Sequence, residues 1–91
     1  MKNNNRVKAV LLVAPWCDSS YKVKSIFYDT CRNLGMRFEV LDVEEKDGLN
    51  ISIKYTVRNV PTILFLDNKG KEKGRSKGLN SCNDIVNYVK M

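Results

Sequence analysis

Apolar residues fall into short blocks along this chain, and their spacing changes from one block to the next. Arg6 to Val13 is a run of Val, Ala and Leu broken by one lysine, the pattern of a strand covered on both faces. From Ser19 to Leu34 the apolar positions Val23, Ile26, Phe27, Cys31 and Leu34 recur at helical spacing, and Gly35 follows as a left-handed cap. Arg37 to Val43 returns to a strand pattern. Leu49 to Tyr55 is ambiguous: Ile51, Ile53 and Tyr55 alternate as in a strand, whereas Leu49 and Ile53 fit a short helix. Pro61 to Leu66 reads as a third strand, with Pro61 allowed at its first position. Asp67-Asn68-Lys69-Gly70 supplies a turn, and Lys71 to Lys77 pairs back as a hairpin partner. Asn80 or Ser81 caps a last helix that turns Ile85, Val86 and Val89 inward.

With Leu49 to Tyr55 taken as helix, the order is β-α-β-α-β-β-α. That order predicts an α/β fold, a four-stranded mixed sheet flanked by helices on both faces, with a right-handed βαβ crossover. No linker, repeat or low-complexity segment interrupts it, and 91 residues suit one domain, 1–91, with residues 1–5 a frayed lead-in. No apolar run approaches the ~20 residues of a membrane helix, so no membrane association is expected. Lys2, Arg6 and Lys8 ahead of Ala9 to Ala14 imitate a signal peptide only superficially. The apolar run of six falls short of the usual ~7–15 and no cleavage pattern follows, which points to a cytoplasmic protein.

The formal charge of +6 raises the question of nucleic acid. Lys69, Lys71, Lys73, Arg75 and Lys77 occupy alternate positions and would share one face of an extended strand, where lysines discourage edge-to-edge pairing or dock an acidic partner. Aromatic residues are not interleaved with them, so a nucleic-acid partner is not expected. The chain has no histidine, which removes His-based triads and His metal ligands. Its three cysteines stand at 17, 31 and 82, and those spacings match no zinc pattern. Neither a metal nor a cofactor is called for, and the odd cysteine count fits thiols better than a disulfide framework.

The chemistry concentrates at Ala14-Pro15-Trp16-Cys17-Asp18-Ser19-Ser20, a strand-to-helix junction. Cys17 at a helix N-terminus gains from the unpaired N–H groups and the dipole, which favour a thiolate, while the adjacent Asp18 opposes it. The helix effect should prevail and bring the thiol below its ordinary pKa of about 8.5. Ser20 can offer its hydroxyl to the sulfur. Cys31 would lie about 21 Å away along the helix and on its apolar stripe, so it reads as core. Cys82 reads as a distant thiol.

The chain resembles the thioredoxin family from residue 6 onward. APWC at the junction, LDVE ending the second strand, KYTVRNVPT before the third and Gly78 after the hairpin agree in order. The resemblance implies thiol–disulfide exchange with Cys17 as nucleophile, and a cis peptide at Val60-Pro61 facing it. It also implies a groove for extended substrate chains lined by Trp16, Val60, Pro61, Thr62 and Gly78. The implied partners are protein disulfide substrates and a thiol or flavoprotein reductase as electron donor, with the protein a monomer. Three departures bear on this. Leu11 stands where the family usually carries a buried acid, and the usual first strand and helix have no counterpart, which makes the chain glutaredoxin-sized. Ser20 stands where the second cysteine is expected. An alcohol cannot expel product from a mixed disulfide at neutral pH, so full dithiol turnover is not expected. Ser20 fits either a natural monothiol member or a cysteine-to-serine variant of a dithiol enzyme. The alternatives to an oxidoreductase are a redox-inactive peptide-binding module using the same groove, and a basic docking protein carried by the Lys69 to Lys77 face.

Overall fold

The first apolar run forms β1 (Val7–Val13) in the computed structural model, which describes residues 7–77 apart from the side chains of residues 18–21 and 77. Ala9 to Leu12 are buried without a break, as a run with no polar face requires. α1 (Asp18–Leu34) follows and stops at Gly35, whose φ of 66° suits a residue with no Cβ. The Gly35 and Met36 amides close the helix onto the carbonyls of Arg32 and Cys31 at 3.2 and 2.9 Å. β2 (Arg37–Asp42), α2 (Lys46–Lys54), β3 (Thr62–Asp67) and β4 (Glu72–Lys77) follow. The expected last helix, with Cys82, lies outside the described residues, as does Gly78.

The strand order is β2-β1-β3-β4. β1 runs parallel to β2 and antiparallel to β3, and Leu12 lies opposite both Leu41 and Thr62. The chain leaving β1 and the chain entering β3 therefore meet at one end of the sheet. That junction positions the site described below.

Alternation along the central strands sorts their side chains into two layers. Ala9, Leu11, Ile63 and Phe65 pack on the α1 side with Val23, Phe27, Cys31 and Met36. Val10, Leu12, Leu64 and Leu66 face the other way, against Ile51, Tyr55, Val57 and Val60. Fully burying each large apolar side chain is worth about 1.5–3 kcal/mol, so these two layers hold the sheet between its helices. Phe38 adds edge-on contacts to Phe27 and Tyr28, with ring centroids 5.7 and 5.2 Å apart.

Three expectations need correction or resolution. The ambiguous segment is helix, but the Leu49 and Ile53 pair that suggested a helix faces solvent; Ile53 is 68% exposed. Its inward face is instead Gly48, Ile51 and Tyr55, spaced by three and four. Ile26, placed on the apolar stripe of α1, is 38% exposed, because Val23 and Phe27 already fill the sheet-facing side. The basic alternation from Lys69 to Lys77 does not lie on one face. Lys69 and Lys71 belong to the turn, where their amides donate to Asp67 Oδ1 at 2.8 and 2.9 Å. Phe65 pairs with Gly74 but Leu66 with Glu72, so Lys73 is an extra residue at a bulge. No helix among the described residues is long and apolar enough to cross a membrane.

Candidate functional site

The chain leaves β1 through a tight turn in which the Cys17 amide donates to the Ala14 carbonyl at 3.1 Å. Pro15 occupies the second turn position, where its fixed φ is already suitable. The turn leaves Trp16 67% exposed and delivers Cys17 as the N-cap of α1, with extended backbone angles and no side-chain cap bond. The first backbone amides of α1 thus lie next to the sulfur-bearing residue.

The second half of the site comes from the segment between α2 and β3. The Val60-Pro61 peptide is cis. Cys17 Sγ donates to the Val60 carbonyl at 3.7 Å, a long and weak contact between residues 43 positions apart. Cys17 is half-buried and reduced, with the Val60 carbonyl beside its sulfur and the exposed Trp16 adjacent in the chain.

The other expected site residues divide. Val60 packs its side chain against the α2 layer, and Pro61 is buried. Thr62 is 1% exposed, and its hydroxyl donates to the Asn59 carbonyl at 2.6 Å, so it braces the loop from within. Gly78 and the side chains of Asp18 and Ser20 lie outside the described residues. Leu11, six positions before Cys17, is fully buried on the α1 side among Val23, Phe27 and Ile63. Cys31 is fully buried in the same layer, and burial pushes its thiol up to about 12. Among the described residues, no group of three or more His, Cys, Asp or Glu could hold a metal ion.

Sequence reading missed the supports of the loop. Thr56 has φ 53°, a left-handed conformation that costs a β-branched residue roughly 1–2 kcal/mol. Its amide donates to Ile53 O at 3.2 Å, and the next amide, of Val57, to Ser52 O at 2.8 Å. Arg75 on β4 donates to the Tyr55 carbonyl at 2.6 Å and to the Thr56 carbonyl at 3.4 Å. The same guanidinium forms a two-pronged pair with Glu72, at 2.6 and 2.7 Å. The Tyr55 hydroxyl in turn donates to the Gly70 carbonyl in the β3–β4 turn. Residues 72 and 75 share a face only because Lys73 is bulged out, and no sequence pattern announces that.

The sequence model of the thioredoxin family matches residues 1–91. Thioredoxin of Rickettsia bellii is 25% identical over 76 residues, covering 84% of this chain and 71% of that protein. Fasciola hepatica thioredoxin superposes with a TM-score of 0.81 at 24% identity, covering 96% of this chain and 82% of the other. Thioredoxin-2 of a malaria parasite gives a TM-score of 0.76 at 24% identity, over 99% and 84% of the two chains. The fold is thioredoxin-like, and the chain belongs to the thioredoxin family.

Proposed function

We propose that this protein is a thiol–disulfide oxidoreductase in which Cys17 is the attacking group and Trp16, Val60, Pro61, Thr62 and Gly78 form or brace the substrate groove. Family and fold support the general role. One observation carries the assignment to Cys17: this half-buried thiol sits at the N-terminus of α1, 3.7 Å from the Val60 carbonyl and next to an exposed tryptophan. Helix N-terminal amides favour the thiolate, which is the reactive species in exchange.

In the proposed reaction the Cys17 thiolate attacks one sulfur of a protein disulfide. A new bond forms between Cys17 Sγ and that sulfur, the substrate's S–S bond breaks, and the other sulfur leaves as thiolate. Ser20 cannot repeat the attack, and Cys31 is buried in the core with its thiol held protonated. An external thiol, from a small molecule or a reductase, must therefore attack the mixed disulfide and regenerate Cys17. The chain acts as a capture protein, with the cytoplasm as its place of work and protein disulfides as its partners.

The test is insulin reduction by the chain, Ser20→Cys and Cys17→Ser, with and without a dithiol donor. Without a donor, the unaltered chain should accumulate a mixed disulfide with insulin. Ser20→Cys should instead release product and finish as a 17–20 intramolecular disulfide, because residues three apart on a first helical turn suit the ~4.4–6.8 Å Cα separation required. Capture that survives in Cys17→Ser would remove Cys17 from the mechanism. Equal turnover by the chain and Ser20→Cys would show that position 20 does not limit the reaction. A chain that binds reduced and oxidised insulin alike without covalent capture would be a redox-inactive binding module.

A further inference from the structure

We propose that Arg75 is a positioning residue for substrate capture, holding the 55–61 segment so that the Val60 backbone stays beside Cys17. The inference rests on the proposed function, in that it takes Cys17 as the capturing thiol and the Val60 side as the substrate's docking strip.

The path runs through the contacts of Arg75 and then along the backbone from Thr56 to Val60. Glu72 grips Arg75 through both carboxylate oxygens, which fixes the plane of the guanidinium. That plane aims Nη2 at the Tyr55 carbonyl, at 2.6 Å, and Nη1 at the Thr56 carbonyl, at 3.4 Å. These carbonyls lie just past the C-terminus of α2, where the helix offers no amide partners for them. Thr56 is also where the backbone takes its left-handed step out of the helix, and Val60 follows four residues later. A threonine held in that conformation relaxes when its restraints are removed. Arg75, its side chain only 25% exposed, restrains the peptide groups on both sides of that step. A cleft of about 100 Å³ lined by Thr56, Val57, Arg58, Asn59, Thr62 and Arg75 lies alongside, so the loop has room to move once released. Arg75 touches neither Cys17 nor the docking strip by any of these contacts; it acts through the loop.

The experiment separates docking from thiol chemistry. Single-turnover capture of insulin gives a half-saturating concentration, while alkylation of Cys17 by iodoacetamide needs no groove. Arg75→Ala should raise the half-saturating insulin concentration about tenfold or more, the factor expected for a lost hydrogen bond from a charged group. The same variant should change iodoacetamide labelling of Cys17 by less than about twofold, which is within the effect of a small local shift. Arg75→Lys, which keeps one charged donor but not the fork, should recover part of the insulin defect. Thr56→Gly accepts the left-handed step without strain, so in that background Arg75→Ala should cost less than about threefold. Circular dichroism melts check that each variant is folded at the assay temperature. Unchanged insulin docking in folded Arg75→Ala or Arg75→Lys overturns the proposal, as does an equal loss in both readouts or an undiminished loss in the Thr56→Gly background. Failure of the unaltered chain to capture insulin while iodoacetamide still labels Cys17 would instead sink the proposed function.

Discussion

Gly48→Ala sets two general effects against each other, and the structure decides between them. Gly48 is buried inside α2, three and seven residues before Ile51 and Tyr55, which pack against the sheet. Helix propensity alone favours alanine over glycine by about 0.8–1.0 kcal/mol. A β-carbon at position 48, however, would overlap the carbonyl carbon and oxygen of Asp42 and stand 3.0 Å from the Val43 nitrogen. All three are backbone atoms at the end of β2, so no flexible side chain can yield. The Asp42 carbonyl is also fixed by the Glu45 amide at 2.9 Å, and the Asp42 carboxylate accepts from the Glu44 amide at 2.7 Å. Overpacking a well-packed site costs typically 1–3 kcal/mol, and a clash with fixed backbone belongs at the upper end. With the propensity gain subtracted, about 2 kcal/mol of net destabilisation remains, which for a domain of this size is a Tm drop of roughly 8–16 °C. Thermal melts followed by circular dichroism measure it, with the exposed Asn50→Ala as a control that carries the propensity gain and no clash. A Tm for Gly48→Ala equal to or above that of the unaltered chain would refute the close approach of α2 to β2.

Two further outcomes follow from the thiols and from the Glu72–Arg75 pair. Mass-mapped alkylation near neutral pH should label Cys17 well ahead of Cys31, since a thiol raised to about 12 has a thiolate fraction on the order of 10⁻⁵ at pH 7; labelling of Cys31 first, in folded protein, would contradict its place in the core. The guanidinium of Arg75 holds the Glu72 carboxyl below its usual range. A depressed folded-state pKa contributes stability that is present above the unfolded value of about 4.3 and lost as pH falls through the folded one. Glu72→Gln should therefore flatten the decline of Tm with acidification below about pH 4, and an unchanged slope would mean the pair is not linked to folding.

Legibility in the sequence depended on whether a feature was repeated or local. β1, α1 and β3 were legible because each rests on several residues with one period, and Gly35 marked the end of α1 by its own backbone preference. α2 was read correctly as a possible helix on the wrong pair of residues. Leu49 and Ile53 have helical spacing, but the face was set by Gly48, whose missing side chain lets the helix lie on β2, and period counting gives glycine no weight. The basic strand failed for a related reason: alternation assumes a continuous ladder, and one extra residue at Lys73 reverses every face beyond it. Cys17 was legible from its place at a strand-to-helix junction, and the Val60-Pro61 segment through the family motif. Arg75 and the left-handed Thr56 had no such signal, because their contacts arise only from tertiary register.

Strand direction brings the segments of Cys17 and Val60 together across 43 positions. Because β1 and β3 are antiparallel and Leu12 pairs with Thr62, a short turn after one strand and a loop before the other arrive at the same edge. The fixed parts are then the sheet register and the two junctions, the Ala14–Cys17 turn and the Tyr55–Pro61 loop held from β4. In the proposed reaction capture and release are separable, since capture needs only the Cys17 thiolate and release a second thiol. The backbone arrangement that brings a disulfide to Cys17 can persist whether position 20 is cysteine or serine. In that proposal a serine at position 20 supplies no nucleophile to expel the product, so an outside thiol ends the reaction.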